Sequence, residues 1–162
     1  MGTFSKVLFP ALRIGYLVVP KELVSVITYA KRLTDRHAPI LEQQVLTDFI
    51  NKGYLERHIR QIRKLYDRRR QALMQALEKY FGEQVTILGE NAGLHLMVRF
   101  HTEFSDQEVV ARAQQRGVKL VTSQRYYLKD ALKCEFVFGY ANLTEEEISE
   151  GVLRLAQVLD IY

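Results

Sequence analysis

Apolar positions follow one rhythm in the first half of the chain and another in the second. Residues 13–19, Arg-Ile-Gly-Tyr-Leu-Val-Val, form an apolar run closed by Pro20. Such a run is typical of a strand buried on both faces. Pro20 suits the opening of a helix over residues 21–31. A second helix is predicted over 39–50, with Ile40, Val45, Leu46 and Phe49 on one side and Gly53 placed for a left-handed C-terminal position. The longest predicted helix covers 54–80. Leu55, Ile59, Ile62, Tyr66, Leu73, Leu77 and Tyr80 recur at spacings of three and four, apart from a gap at Arg69. It would span about 40 Å, which is long for a compact domain and suits a bridge between subdomains.

After Phe81-Gly82 the rhythm becomes that of strands. Residues 85–88 read as a short strand. Between 93 and 100, Leu94, Leu96, Val98 and Phe100 face one way and His95, Met97 and Arg99 the other, as in a half-buried strand. Ser105-Asp106-Gln107-Glu108 is a capping box that opens a helix closing at Gly117. Further strands are predicted at 118–121 and 135–140. Thr144-Glu145-Glu146-Glu147 is a second capping box, and Ile148, Val152, Leu155 and Leu159 form the stripe behind it. Residues 81–162 therefore read as an α+β unit, a small mixed sheet with helices on one face.

Composition narrows the setting. The 162 residues are 48% hydrophobic and 26% charged, ordinary for a soluble globular chain with a core. No stretch approaches the roughly 20 apolar residues of a membrane helix, and the first five residues do not resemble a signal peptide. The single cysteine, Cys134, excludes an internal disulfide, suits a reducing cytosol and reads as a small buried hydrophobe. The net charge of +4 permits an anionic partner without demanding nucleic acid. Arg57, Arg60, Arg63, Lys64, Arg68, Arg69 and Arg70 could form a phosphate-binding face on the long helix. With Glu56 and Asp67 interleaved and no alternating aromatics, a solvated helix face is the better reading.

The chemistry-bearing stretch is Gly2-Thr3-Phe4-Ser5-Lys6, followed by Phe9-Pro10-Ala11-Leu12-Arg13-Ile14-Gly15-Tyr16. Two hydroxyls lie within three residues of a lysine, and an arginine follows seven residues after it. A lysine in such a loop can form an imine with an aldehyde where its neutral amine is favoured. The hydroxyls and the arginine could together hold a phosphate. Spacing alone would leave Lys6 an ordinary solvated lysine.

The whole string closely resembles the cofactor-lysine segment of fold-type-I, pyridoxal-phosphate-dependent aminotransferases. It is most similar to the aminotransferase-like domain of MocR-type regulators of the GntR family. Residues 37–44, His58-Ile59-Arg60 with Arg63 and Tyr66, Arg68-Arg69-Arg70, residues 92–95, 123–128 and 138–141 agree with that branch, so the resemblance covers essentially the whole chain.

The resemblance implies an α/β fold: a remnant of the cofactor-binding large domain (1–36), a long helical connector (37–80) and an α+β C-terminal small domain (81–162). It implies that Lys6 is the catalytic lysine joined to pyridoxal 5'-phosphate, that Arg13 binds the phosphate with help from Thr3 and Ser5, and that Arg125 takes the carboxylate of an amino ligand. His95 is left a packing role, and no metal is implied. The family's partner for the pyridine nitrogen and its stacking aromatic precede the lysine, where only five residues stand here. The chain is therefore expected to be an expressed fragment or the product of a truncated reading frame. Alone it should be inactive and bind the cofactor weakly or not at all.

The implied parent is a cytoplasmic, homodimeric regulator that senses an amino acid or amine and meets DNA only through a domain outside this chain. The alternatives are a true class I/II aminotransferase and a chain that binds no cofactor and only self-associates. Residues 13–19 are expected to show unpaired edges and exposed apolar faces if the rest of their sheet is missing.

Overall fold

The computed structural model of the chain describes residues 1–36, 39–89, 93–128 and 133–159. Parts of two stretches that carry the resemblance, 37–38 and 92, lie outside them. Two compact units are present, Met1–Ile62 and Arg63–Tyr162. The division falls inside the longest helix, whereas the sequence reading set its boundaries after residues 36 and 80.

The first unit opens with two short antiparallel strands, β1 (Gly2–Thr3) and β2 (Gly15–Tyr16), with Gly2 opposite Tyr16 and Thr3 opposite Gly15. Three helices follow: α1 (Lys21–Asp35), α2 (Ile40–Asn51) and α3 (Tyr54–Phe81). The strand expected over 13–19 is thus reduced to two residues, and it is not buried. Tyr16, Leu17 and Val18 are 55%, 54% and 77% exposed. The physical reason is pairing: β1 offers two residues of ladder, so among the described residues no strand pairing continues beyond Tyr16 and its neighbours stay largely exposed.

The second unit takes in the later part of α3, then β3 (Val85–Leu88), β4 (His95–Phe100), α4 (Asp106–Gln115), β5 (Val121–Thr122), β6 (Glu135–Gly139) and α5 (Glu145–Val158). The strands form an antiparallel sheet in the order β3-β4-β6-β5. Leu96, Val98 and Phe100 of β4 and Phe136 of β6 enter one core with Leu73, Leu77 and Phe81 of α3, Val109 of α4 and Leu155 of α5. The rings of Phe81 and Phe100 meet edge to face at 5.0 Å. This explains where the division falls: the C-terminal half of α3 is part of this core, so residues 63–80 pack with the small sheet.

Both capping boxes form. Ser105 and Thr144 accept from the backbone N–H of Glu108 and Glu147, whose carboxylates accept from the cap residues' own N–H. The strand expected at 118–121 lies instead at Val121–Thr122, because β6 supplies partners only there, Val137 and Phe136. Cys134 is buried in a left-handed backbone conformation (φ 57°), its backbone N–H donating to Asp106 Oδ1 at 2.7 Å and its thiol to the Phe104 carbonyl at 3.0 Å. The fold is α/β. Among the described residues no helix is long and apolar enough to cross a membrane.

Candidate functional site

Thr3, Ser5, Lys6 and Arg13 all belong to the hairpin of the first unit. Pairing of β1 with β2 is extended by the Phe4 N–H, which donates to the Ile14 carbonyl at 2.9 Å. Residues 3–5 are thereby held beside 13–15. The approach is close enough to require glycine. A Cβ on Gly15 would stand 2.8 Å from the Gly2 carbonyl oxygen, and one on Gly2 would stand 2.6 Å from the Tyr16 ring. The rings of Phe4 and Tyr16 sit 5.8 Å apart on the same hairpin.

Between the strands the chain turns after Phe4, whose carbonyl accepts from Val7 and Leu8 at 3.1 and 2.8 Å. Thr3 Oγ1 accepts from the Ser5 N–H at 3.2 Å. Lys6 is exposed on this turn. A short 3-10 turn, Pro10–Leu12, then leads to Arg13, which is left-handed at φ 50° and ψ 29°. For a residue with a side chain this conformation costs about 1–2 kcal/mol, and such strain tends to collect at binding sites. The Arg13 guanidinium is exposed and makes one long contact, 3.5 Å, to the Pro10 carbonyl. An amine, a guanidinium and two hydroxyls on one tight hairpin are a donor set that fits a phosphate-bearing aldehyde: cation and hydroxyl donors for the phosphate, an amine for the carbonyl carbon.

Arg125 belongs to the second unit. It sits exposed on the 3-10 turn Gln124–Tyr126, its guanidinium 5.7 Å from the Tyr126 ring. The flanks of that turn are anchored by a group the sequence reading missed, the fully buried carboxylate of Glu135. It accepts from Ser123 Oγ at 3.4 Å, from the Tyr127 hydroxyl at 2.7 Å, and from Arg99 Nε and Nη2 at 2.9 and 2.6 Å. Burial pushes this carboxyl up, but the Tyr127 and Arg99 donors outweigh it and hold it below the usual carboxylate range. The same bond raises the Tyr127 phenol. The available signal was a lone acid in the apolar run 134–140, directly across the ladder from Arg99.

The basic face of α3 is largely taken up by protein partners. Arg60 pairs with Glu56, Arg70 with Asp67 and Arg68 with Glu145, and Arg69 donates to the Ala141 carbonyl. The Arg60–Glu56 pair agrees with the solvated-face reading, whereas Arg69 and Arg70 are half-buried. His95 is exposed, its ring lying over Gly139.

The family model for class I and II aminotransferases matches residues 1–155. The uncharacterized HTH-type transcriptional regulator YhdI of Bacillus subtilis (strain 168) is 34% identical over 96% of this chain. The probable rhizopine catabolism regulatory protein MocR of Rhizobium meliloti is 32% identical over 96%. Among solved structures, the kynurenine aminotransferase of Pyrococcus horikoshii, crystallised with PMP, superposes with a TM-score of 0.88 at 32% identity over 98% of this chain and 39% of its own. The chain spans about a third of the length of the two regulators, 33% and 31%. On this match of sequence and fold, the chain belongs to the class I and II aminotransferase family.

Proposed function

We propose that this chain is the C-terminal part of the pyridoxal-phosphate-binding effector domain of a MocR-type, GntR-family transcriptional regulator. The observation that supports the reading is the hairpin on which Thr3, Ser5 and an exposed Lys6 precede a left-handed, exposed Arg13. The similarity to two regulators supports the regulator branch. When bound, pyridoxal phosphate supplies an aldehyde that amino compounds exchange onto and off. Lys6 would hold the group at its aldehyde carbon through the side-chain amine, in competition with an incoming amino compound. Arg13, Thr3 and Ser5 would hold the phosphate. Arg125, with its exposed guanidinium, orients the carboxylate of the amino ligand. Such a regulator works in the cytoplasm as a homodimer, and DNA binding belongs to a domain outside these residues.

The second reading, a true aminotransferase in which the freed Lys6 amine also moves a proton, draws on the 32% identity to the Pyrococcus enzyme. Borohydride reduction of the cofactor-loaded, full-length protein followed by peptide mapping tests both. Label on Lys6 is expected, and label on Lys129 or Lys133 would sink the assignment. Turnover of an amino acid with a keto-acid acceptor would favour the enzyme, and ligand-dependent DNA binding without turnover the regulator.

A further inference from the structure

One residue outside the hairpin reaches into it. His58, half-buried on α3, has Nε2 3.0 Å from the Val7 carbonyl oxygen, 51 residues away in sequence. A carbonyl only accepts, so Nε2 carries the proton and donates. Val7 is the residue after Lys6, and the bonded carbonyl belongs to the turn already closed by Val7 and Leu8 on Phe4. Beside this bond, Leu8, Phe9 and Leu12 line an apolar cavity of about 300 Å³ with Val45, Phe49 and the His58 ring. His58 thus makes the directed contact, and the apolar neighbours define no direction of their own.

We propose that His58 is a positioning residue for Lys6. By holding the Val7 carbonyl it sets the turn through residues 4–8 and hence where the lysine amine stands relative to the phosphate donors on the same hairpin. This rests on the reading of Lys6 as the cofactor lysine. The role needs an N–H at the reach of Nε2, which makes it separable from ring packing. Glutamine carries an amide nitrogen at comparable reach, whereas asparagine is too short.

The test uses the full-length protein, treated with pyridoxal phosphate and borohydride for a short fixed time. Labelling of Lys6 is measured against Lys31 and Lys52 of the same unit, with and without inorganic phosphate. In the wild type, phosphate is expected to protect Lys6 selectively. The Lys6 ratio should fall about fivefold in His58→Asn, the change that loss of one ordinary hydrogen bond allows, and stay within about twofold of wild type in His58→Gln. Equal ratios in wild type and His58→Asn, with phosphate protection intact, overturn the positioning role and leave the reading of Lys6 standing. Equal falls in both variants also overturn it, because they trace the effect to the lost ring rather than the donor. Absence of selective phosphate protection in the wild type overturns the reading of the hairpin itself, and the proposal with it.

Discussion

Helices α1 and α5 are made of similar material and end in opposite surroundings. α5 buries Ile148, Val152, Leu155 and Ala156. α1 carries Leu23, Val24, Val26, Ile27 and Leu33, and buries none of its residues. The same contrast holds between the units. The core residues of the second pack on each other from three helices and a sheet, while the first buries one apolar side chain among its described residues, Leu46. Hydrophobic patterning specifies which face wants cover, but it cannot supply the cover. A stripe becomes a core only where topology brings other stripes to meet it.

The largest effect expected from that contrast concerns where the second unit begins. A chain starting at Arg63 should unfold cooperatively. One starting at Gly82 should not, because it lacks Leu73, Ala76, Leu77 and Phe81. Losing one large core side chain costs about 2–5 kcal/mol, and a whole domain holds only about 5–15. Calorimetry decides, and a cooperative transition in the Gly82 chain would show that α3 is dispensable. The same pair of chains bears on the exposed stripes. The 162-residue chain should scatter light as a dimer or larger, and the Arg63 chain as a monomer, since large contiguous apolar patches are rare on monomers. A monomeric 162-residue chain at high micromolar concentration would refute this.

Point substitutions sharpen the contrast. Leu155→Ala should lower stability in urea by about 4 kcal/mol, whereas Leu23→Ala, at a position 47% exposed, should change it by less than about 0.5. Equal costs would mean that Leu23 is covered in solution, as self-association would cover it.

Next in size is Glu135→Ala. It should cost about 3 kcal/mol, the low end for breaking a buried pair, because Arg99 keeps 32% exposure. The pH dependence has a definite sign. The folded carboxyl lies below its unfolded value of about 4.3. Its contribution is therefore present above that pH and lost as pH falls through the lower, folded value. Glu135→Ala should flatten the acid limb of the stability curve. An unchanged limb would exclude Glu135 as its source. The smallest effect is Thr144→Ala, about 1 kcal/mol for a lost helix cap, read as a shift in the midpoint of thermal unfolding.

What was legible in the sequence divides along similar lines. Local signals placed their elements well: the strand at 85–88 and both capping boxes stand where the residues put them, since each needs only neighbours in sequence. Features set by distant partners did not show. Val118, Lys119 and Leu120 look like strand, but the ladder with β6 begins at Val121. Glu135 sits in an apolar run, and its meaning appears only once register puts it across from Arg99. In the candidate site, the motif gives Thr3, Ser5, Lys6 and Arg13 as a run of residues, and the β1–β2 pairing sets residues 3–5 beside 13–15. The left-handed backbone at Arg13 and the bond from His58 to Val7 could not be read from the motif, because one is a conformation and the other a contact across 51 residues.

Cys134 gives the second unit an internal clock. Burial, and then the nearby Asp106 carboxylate, push its thiol above the ordinary range, and the thiolate is the form that reacts. Its sulfur is covered and already engaged with the Phe104 carbonyl. A thiol reagent must therefore wait for the segment to open, and reaction with the one cysteine of the chain counts those openings. Followed over time, that reaction measures how often the small sheet breathes.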